Sequence, residues 1–340
     1  MVNIRIVIIK LGAKGDVVRT LPILEALKKK YKNCEITWIT KENALEIFNN
    51  NRGVDKLVAI EDEKEVRELC NNKEFDLLIN LDVEKEACSL ADKIKADEKK
   101  GFFLDESGYA MAYNLGAEYY LSTMFSDDLK KANTKTYQEM MFSACDLVFE
   151  GEKPHIYLSE KEKEYREKFI ADNNLEGKRI IGIHIGSGKR WPSKSWHVDN
   201  IVRFIQKAKK KGYEIILFSG LEDEKRNMEI NRGLDELNIN ICHNNPNNTD
   251  REFYRLINVC DCVVSGDSYA MHVSMALGKK TVGLFFCTSP WEVESYDLLT
   301  KITSSQLNSF FPERMNVYDE ELTKSIGEEE VLKAIKNCIS

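Results

Sequence analysis

The chain has 340 residues, 43% hydrophobic and 31% charged, with a net charge of −7. That balance excludes a disordered chain, and no apolar run approaches the roughly 20 residues that a membrane-crossing helix needs. The acidic balance argues against a general nucleic-acid binder, and nine cysteines without a C-x-x-C pair read as reduced thiols rather than a disulfide framework. Cys260-x-Cys262 lacks a second Cys/His pair at ligand spacing, so no zinc site is expected.

In chain order, strands are predicted near 4–10, 35–40, 56–60, 75–81 and 99–104, with helices near 17–31, 42–49, 64–72 and 84–94 between them. The strands are continuous apolar runs, such as Phe75 to Leu81, the mark of parallel strands covered on both faces. The first begins at Ile4, without the basic start and long apolar core of a signal peptide, and the expected location is cytoplasmic. Residues 105–135 read as irregular and aromatic-rich, a place for acceptor contacts, or a lid or plain loop. A helix near 136–149 ends at Glu150-Gly151-Glu152-Lys153-Pro154, which marks a boundary between domains 1–152 and 153–340.

The cycle then restarts. Strands are predicted near 179–185, 213–218, 239–242, 261–265 and 280–286, with helices near 194–211, 222–236, 250–258 and 268–277. A last helix near 327–338 has no strand after it and can pack on either domain. The fold class is therefore α/β, two doubly wound Rossmann-like domains facing a central cleft, with ligands expected outside the carboxyl ends of the strands. Lysine runs at 28–32 and 207–211 close predicted helices; they suit the helix dipole, or contact with anionic lipid.

Four loops at strand ends carry the residue types for chemistry. The first, Lys10 to Pro22, is neither G-x-G-x-x-G nor a P-loop; it places Gly12, Lys14, Gly15 and Asp16 at a helix start, where Asp16 is an N-cap or an acid at the cleft edge. The second, His184 to Trp196, offers Gly186, Ser187 and Gly188 with little bulk, and Lys189 or Arg190 to bridge a diphosphate. Ser193 reads there as a helix cap, and Trp191 and Trp196 as packing residues. His184 at the strand end suits a structural histidine better than a catalyst. The third loop brings Glu222, Asp223 and Glu224 to a helix start, acids that suit the dipole or a ribose. In the fourth, Asp267 and Ser268 open a helix whose free N–H groups make a phosphate seat; Asp267 caps the helix or grips a ribose hydroxyl, and His272, one turn in, donates to a phosphate oxygen or packs between helices.

Together these loops resemble glycosyltransferase family 9, the bacterial heptosyltransferases. The matching features are K-x-x-x-x-G-D-V-x-x-T-L-P at Lys10–Pro22, K-x-W-P at Lys189–Pro192, the acidic turn at 222–224, D-[ST]-x-x-x-H…A-L-G at Asp267–Gly278, and L-F-x-x-T-x-P at Leu284–Pro290. The resemblance implies a GT-B fold and inverting, metal-independent transfer of a sugar, usually a heptose from ADP-heptose, to a lipopolysaccharide-core-type glycan or glycolipid. No cofactor beyond the donor is implied, and a glycolipid acceptor would bring peripheral contact with the inner membrane. Asp16 then matches the general base and Lys189 the diphosphate lysine. Asp267 matches the nucleotide aspartate, His272 the phosphate-side histidine, and Glu222 or Glu224 the ribose acid. Gly186, Ser187, Gly188 and Ser268 complete the donor side, and Lys10, Gly12, Lys14 and Gly15 the acceptor side. One departure is Tyr269, where the family commonly has Gly; it lies outward or covers the nucleotide. The alternatives are a nucleotide-sugar epimerase or hydrolase on the same scaffold, or a non-catalytic nucleotide-sugar-binding protein.

Overall fold

A computed structural model describes residues 3–72, 74–188 and 190–339. The chain forms two compact units. Unit 1 runs to Tyr157 and includes Trp291–Glu294; unit 2 comprises Leu158–Pro290 and the residues from Ser295 onward. The short return to unit 1 is fixed by Tyr137, whose N–H donates to the Glu292 carbonyl at 3.0 Å.

Unit 1 is built on β1 (Ile4–Ile9), β2 (Cys34–Thr40), β3 (Lys56–Ala59), β4 (Glu74–Asn80), β5 (Lys95–Leu104) and β6 (Ala110–Ala112), in the order β3-β2-β1-β4-β5-β6. All pairings are parallel except β5 with β6. Ile6 to Ile9 are fully buried because β1 lies in the middle of the sheet with helices on both faces, which is why the run reads as apolar without alternation. The helix predicted over 17–31 is two helices, Lys14–Thr20 and Pro22–Lys30. Pro22 has no N–H to continue the first ladder and instead starts the second.

Residues 105–135 are ordered, against expectation: they form β6 and the helices Leu115–Phe125 and Asp127–Ala132. The first of these carries apolar residues around its whole circumference, including exposed Leu115 and Phe125, so no amphipathic period announces it. Gly116 lets it approach the next helix, Tyr137–Ala144; a Cβ there would lie 1.9 Å from the Ser143 carbonyl oxygen.

Unit 2 contains β7 (Arg179–His184), β8 (Tyr213–Phe218), β9 (Cys242–His243), β10 (Cys262–Gly266), β11 (Lys280–Phe285) and β12 (Leu299–Thr303), all parallel, in the order β12-β11-β10-β7-β8-β9. The elements that escaped the sequence reading include β12 and the helices Glu160–Asp172 and Glu320–Lys324. The first of these helices is dominated by charged residues, buries no residue fully and is announced only by its capping box, Ser159 with Glu162. The helix expected from 194 begins at Val198, capped by His197, whose Nδ1 accepts from the Asp199 N–H at 3.2 Å. Ser193 is not the cap. Residues 192–194 form a separate short turn, where its hydroxyl donates to the Val317 carbonyl and accepts from the Asp319 N–H.

Trp196 sits in the unit 2 core with its indole N–H on the Ile326 carbonyl. The last helix, Glu328–Cys338, packs on the helix Val198–Lys210 and on β11 and β12, which places it in unit 2. All nine cysteines are unpaired, five of them buried. Among the described residues no helix is long and apolar enough to cross a membrane.

Candidate functional site

In unit 1 the loop after β1 is held from beneath. Lys10 is buried at the strand end, its ammonium 2.5 Å from Asp82 Oδ1 and 3.0 Å from the Leu81 carbonyl. Burial alone would pull the Lys10 pKa down; Asp82 above all, then Tyr137, Asp16 and Tyr120, reverse this and hold the ammonium charged well above its ordinary range. The other Asp82 oxygen accepts from the backbone N–H groups of Leu11 and Gly12, so one carboxylate fixes the whole turn.

The helix Lys14–Thr20 then starts after Ala13, with Asp16 in its first turn and not at its cap. Asp16 Oδ1 accepts from Arg19 Nη2 at 2.8 Å and Nε at 3.0 Å. The Arg19 guanidinium lies 3.7 Å from the ring centroid of buried Tyr137, which fixes its plane and hence the Asp16 rotamer. Asp16 is thus a partly exposed carboxylate set by an arginine on an aromatic floor. Lys14 and Gly15 occupy the same first turn, and Gly12 lies against Asp82.

In unit 2, β7 and β10 are neighbours, with Ser265 opposite His184. Their loops therefore rise side by side where the strand order reverses, the position at which open α/β sheets bind ligands. Ser268 precedes the helix Tyr269–Ala276; its hydroxyl bonds Ser265 Oγ at 2.9 Å and His184 Nδ1 at 3.3 Å rather than a helix N–H. Asp267 Oδ2 lies 3.2 Å from the Lys194 ammonium, and Oδ1 lies 3.8 Å from His272 Nε2. Ser187 Oγ meets Ser195 Oγ at 2.6 Å, closing the loop after β7 on itself.

His184 is half-buried; desolvation lowers its pKa to about 4, with Asp223 opposing, so the ring is neutral and serves as a structural hydrogen-bonding group. Two glycines permit this packing. A Cβ on Gly186 would lie 2.5 Å from Asp223 Oδ2, and Gly188 has φ +71°, a left-handed conformation that side chains disfavour. Asp223 also accepts from the Gly220 N–H at 2.9 Å. Ser187, Gly188, Glu222 and Asp223 face a groove of about 790 Å³ between the helices Val198–Lys210 and Glu224–Asp235, where Arg226 and His197 also line it.

A family model described as glycosyltransferase family 9 (heptosyltransferase) matches residues 64–317. The chain belongs to this family. The lipooligosaccharide heptosyltransferase 2 of Haemophilus influenzae is 29% identical over 178 residues, 47% of this chain and 50% of that protein, so the chain spans about half the length of this curated relative. Two solved structures share the GT-B fold over nearly all of the chain. A glycosyl transferase family 9 protein from Veillonella parvula has a TM-score of 0.76 at 20% identity, covering 98% of this chain and 97% of its own. The E. coli ADP-heptose LPS heptosyltransferase II has a TM-score of 0.74 at 18% identity, covering 99% and 98%.

Set against the family motifs, Asp267 lies beside His272 and Lys194, and Ser268 meets His184, while Ser187 bonds Ser195 within its own loop and faces the groove with Gly188. Glu222 faces the groove while the groove lining omits Glu224. Lys189 lies outside the described residues. Tyr269 turns its side chain toward a neighbouring helix. Its ring stacks on Phe253 and its hydroxyl meets Tyr254 OH at 2.5 Å, on the helix Asp250–Val259.

Two residues central to this geometry were missed. Asp82 follows β4 in no motif; its only signal is an acid at the carboxyl end of a parallel strand. Lys194 lies inside the quoted loop but past its K-x-W-P. Asp223, named with its neighbours as an acid for the dipole or a ribose, instead accepts from the Gly220 N–H and packs against Gly186.

Proposed function

We propose that the chain is an inverting, metal-independent glycosyltransferase that moves a heptose from ADP-heptose to a glycan or glycolipid of the lipopolysaccharide-core type. The observation that carries this reading is the convergence of Asp267, Ser268 and His272 with His184 and Lys194 at the ends of two adjacent strands in a family 9 chain. Fold likeness alone would not separate a transferase from an epimerase. In unit 2, the Gly-rich turn, the helix N-terminus at Tyr269 and Lys189 would take the charge that grows on the departing diphosphate. Glu222 would accept from the ribose. In unit 1, Asp16 would remove the proton of the acceptor hydroxyl as that oxygen bonds the anomeric carbon. The bond to the diphosphate breaks in the same displacement, and its electron pair leaves on the phosphate oxygen; one displacement inverts the centre. A lipid-borne acceptor would bring the enzyme to the cytoplasmic face of the membrane.

The test is release of ADP from ADP-heptose, measured with and without an acceptor glycan. Acceptor-dependent release is expected; release without acceptor would favour the hydrolase, and tight ADP binding with no turnover the binding protein. Asp16→Ala should lower transfer about 10²–10⁴-fold while ADP still raises the melting temperature. Transfer at the wild-type rate would remove Asp16 from the mechanism.

A further inference from the structure

The proposed donor half-site contains a fixed cation, Lys194, that the family motifs do not mark. Lys194 is largely buried, its side chain 9% exposed, and it faces Asp267, itself 16% exposed. The aromatic ring of Trp191 lies 4.8 Å from the same ammonium. The backbone is shaped to bring it there. Gly266, the last residue of β10, is in contact with the Lys194 carbonyl, and a Cβ at 266 would lie 2.3 Å from that oxygen. The lysine and the aspartate therefore come from loops after two different strands and meet beside the first turn of the helix that carries His272. A buried lysine with an aspartate partner is costly to arrange, and removing one partner leaves the other as an uncompensated charge.

We propose that Lys194 is a positioning residue of the donor site, which neutralises Asp267 so that a diphosphate can approach the helix N-terminus, and which makes binding depend on the charge of the ligand. The proposal rests on the nucleotide-sugar reading above. With Lys194 in place, Asp267 keeps one oxygen on the ammonium and presents the other toward His272. Without it, a bare carboxylate stands beside the phosphate seat. Repulsion then grows with each phosphate charge, while a neutral nucleoside is indifferent to it.

The experiment is calorimetric titration of the wild type, Lys194→Met and Lys194→Arg with a nucleoside and its mono- and diphosphate. The base is taken from whichever of ADP, UDP, GDP and CDP raises the wild-type melting temperature. Lys194→Met should weaken diphosphate binding by about tenfold or more, the monophosphate less, and the nucleoside by less than about twofold; Lys194→Arg should restore most of the diphosphate affinity. Equal weakening of all three ligands, or none, would overturn the charge role and leave the functional reading standing. Failure of the wild type to bind any of the four diphosphates would overturn both. If Lys194→Met does not fold, Lys194→Gln is read instead, because its amide can still donate to Asp267 while carrying no charge. The same graded loss, diphosphate more than monophosphate more than nucleoside, supports the proposal, and equal or no weakening overturns it.

Discussion

The two units use one topological plan and finish it differently. Numbered within its own unit, each sheet runs 3-2-1-4-5-6, and in each a lysine after the first strand meets an aspartate after the fourth: Lys10 with Asp82, and Lys194 with Asp267. In unit 1 the aspartate is spent on structure. It binds the ammonium and two backbone N–H groups and is 5% exposed. The catalytic candidate, Asp16, is a separate residue one turn along, oriented by Arg19. In unit 2 the aspartate of the pair is itself the candidate ligand residue, more open, with His272 on its second oxygen. The same kind of ion pair that ties a turn shut in one unit leaves an oxygen beside the proposed phosphate seat in the other.

The comparison is tested most severely at Lys10. Lys10→Met leaves Asp82 buried with only backbone donors, and breaking such a pair costs about 3–5 kcal/mol. The expected result is a large fall in unit 1 stability in urea unfolding. Lys194→Met, in the more open pair, should cost distinctly less. Equal losses would mean that the two pairs do the same work and that the division into structural and functional pairs is wrong.

The glycines give a second contrast. At Gly266 an added Cβ meets a backbone carbonyl at 2.3 Å, which cannot swing away; at Gly12 it meets the Asp82 carboxylate at 3.1 Å. Gly266→Ala should therefore cost about 2–3 kcal/mol and Gly12→Ala about 1 kcal/mol or less, read from denaturation midpoints. A reversed order would show that the unit 2 loop tolerates displacement and that Lys194 is not held by backbone packing.

Most of the scaffold was legible, since buried parallel strands announce themselves as unbroken apolar runs and Gly-rich turns punctuate them. What escaped follows a physical pattern. The helices 115–125 and 160–172 lack a clear amphipathic stripe, one being mostly apolar and the other mostly charged, so periodicity carries little signal. In the site, short motifs located Asp267, Ser268 and His272 but not the partners that hold them. Asp82 and Lys194 matter because the sheet order sets β1 beside β4 and β7 beside β10, and no local sequence pattern encodes that adjacency. Among three consecutive acids, only the fold of the turn decides that Asp223 points at the Gly186 backbone.

The strand ends differ in charge as well, which makes unit 2 the pH-sensitive half. β1 is followed by a permanently charged Lys10, whereas β7 ends in His184, whose pKa falls to about 4. In the unfolded chain a histidine titrates near ~6.5. Between these values the unfolded state binds more protons, so His184 contributes stability that is complete above pH ~6.5 and is lost as the pH falls toward 4, by about 1–3 kcal/mol. Unfolding followed from pH 7 to pH 4.5 should show this slope, and His184→Asn should flatten it. An unchanged slope in the variant would assign the acid sensitivity to other groups.

The smallest effect concerns Tyr269, the residue that departs from the family pattern. Its side chain belongs to packing: the ring lies on Phe253 and the hydroxyl on Tyr254, where burial, reinforced by Tyr254 and Asp250, raises its pKa well above the ordinary phenol value. Tyr269→Phe removes one buried hydroxyl contact and should cost about 1 kcal/mol of stability, with nucleotide affinity unchanged to within about twofold. This outcome would separate the helix terminus, which presents backbone to the ligand, from its first side chain, which faces the neighbouring helix. A tenfold loss of affinity without loss of stability would instead put the phenol against the nucleotide and require the ring to leave Phe253 on binding.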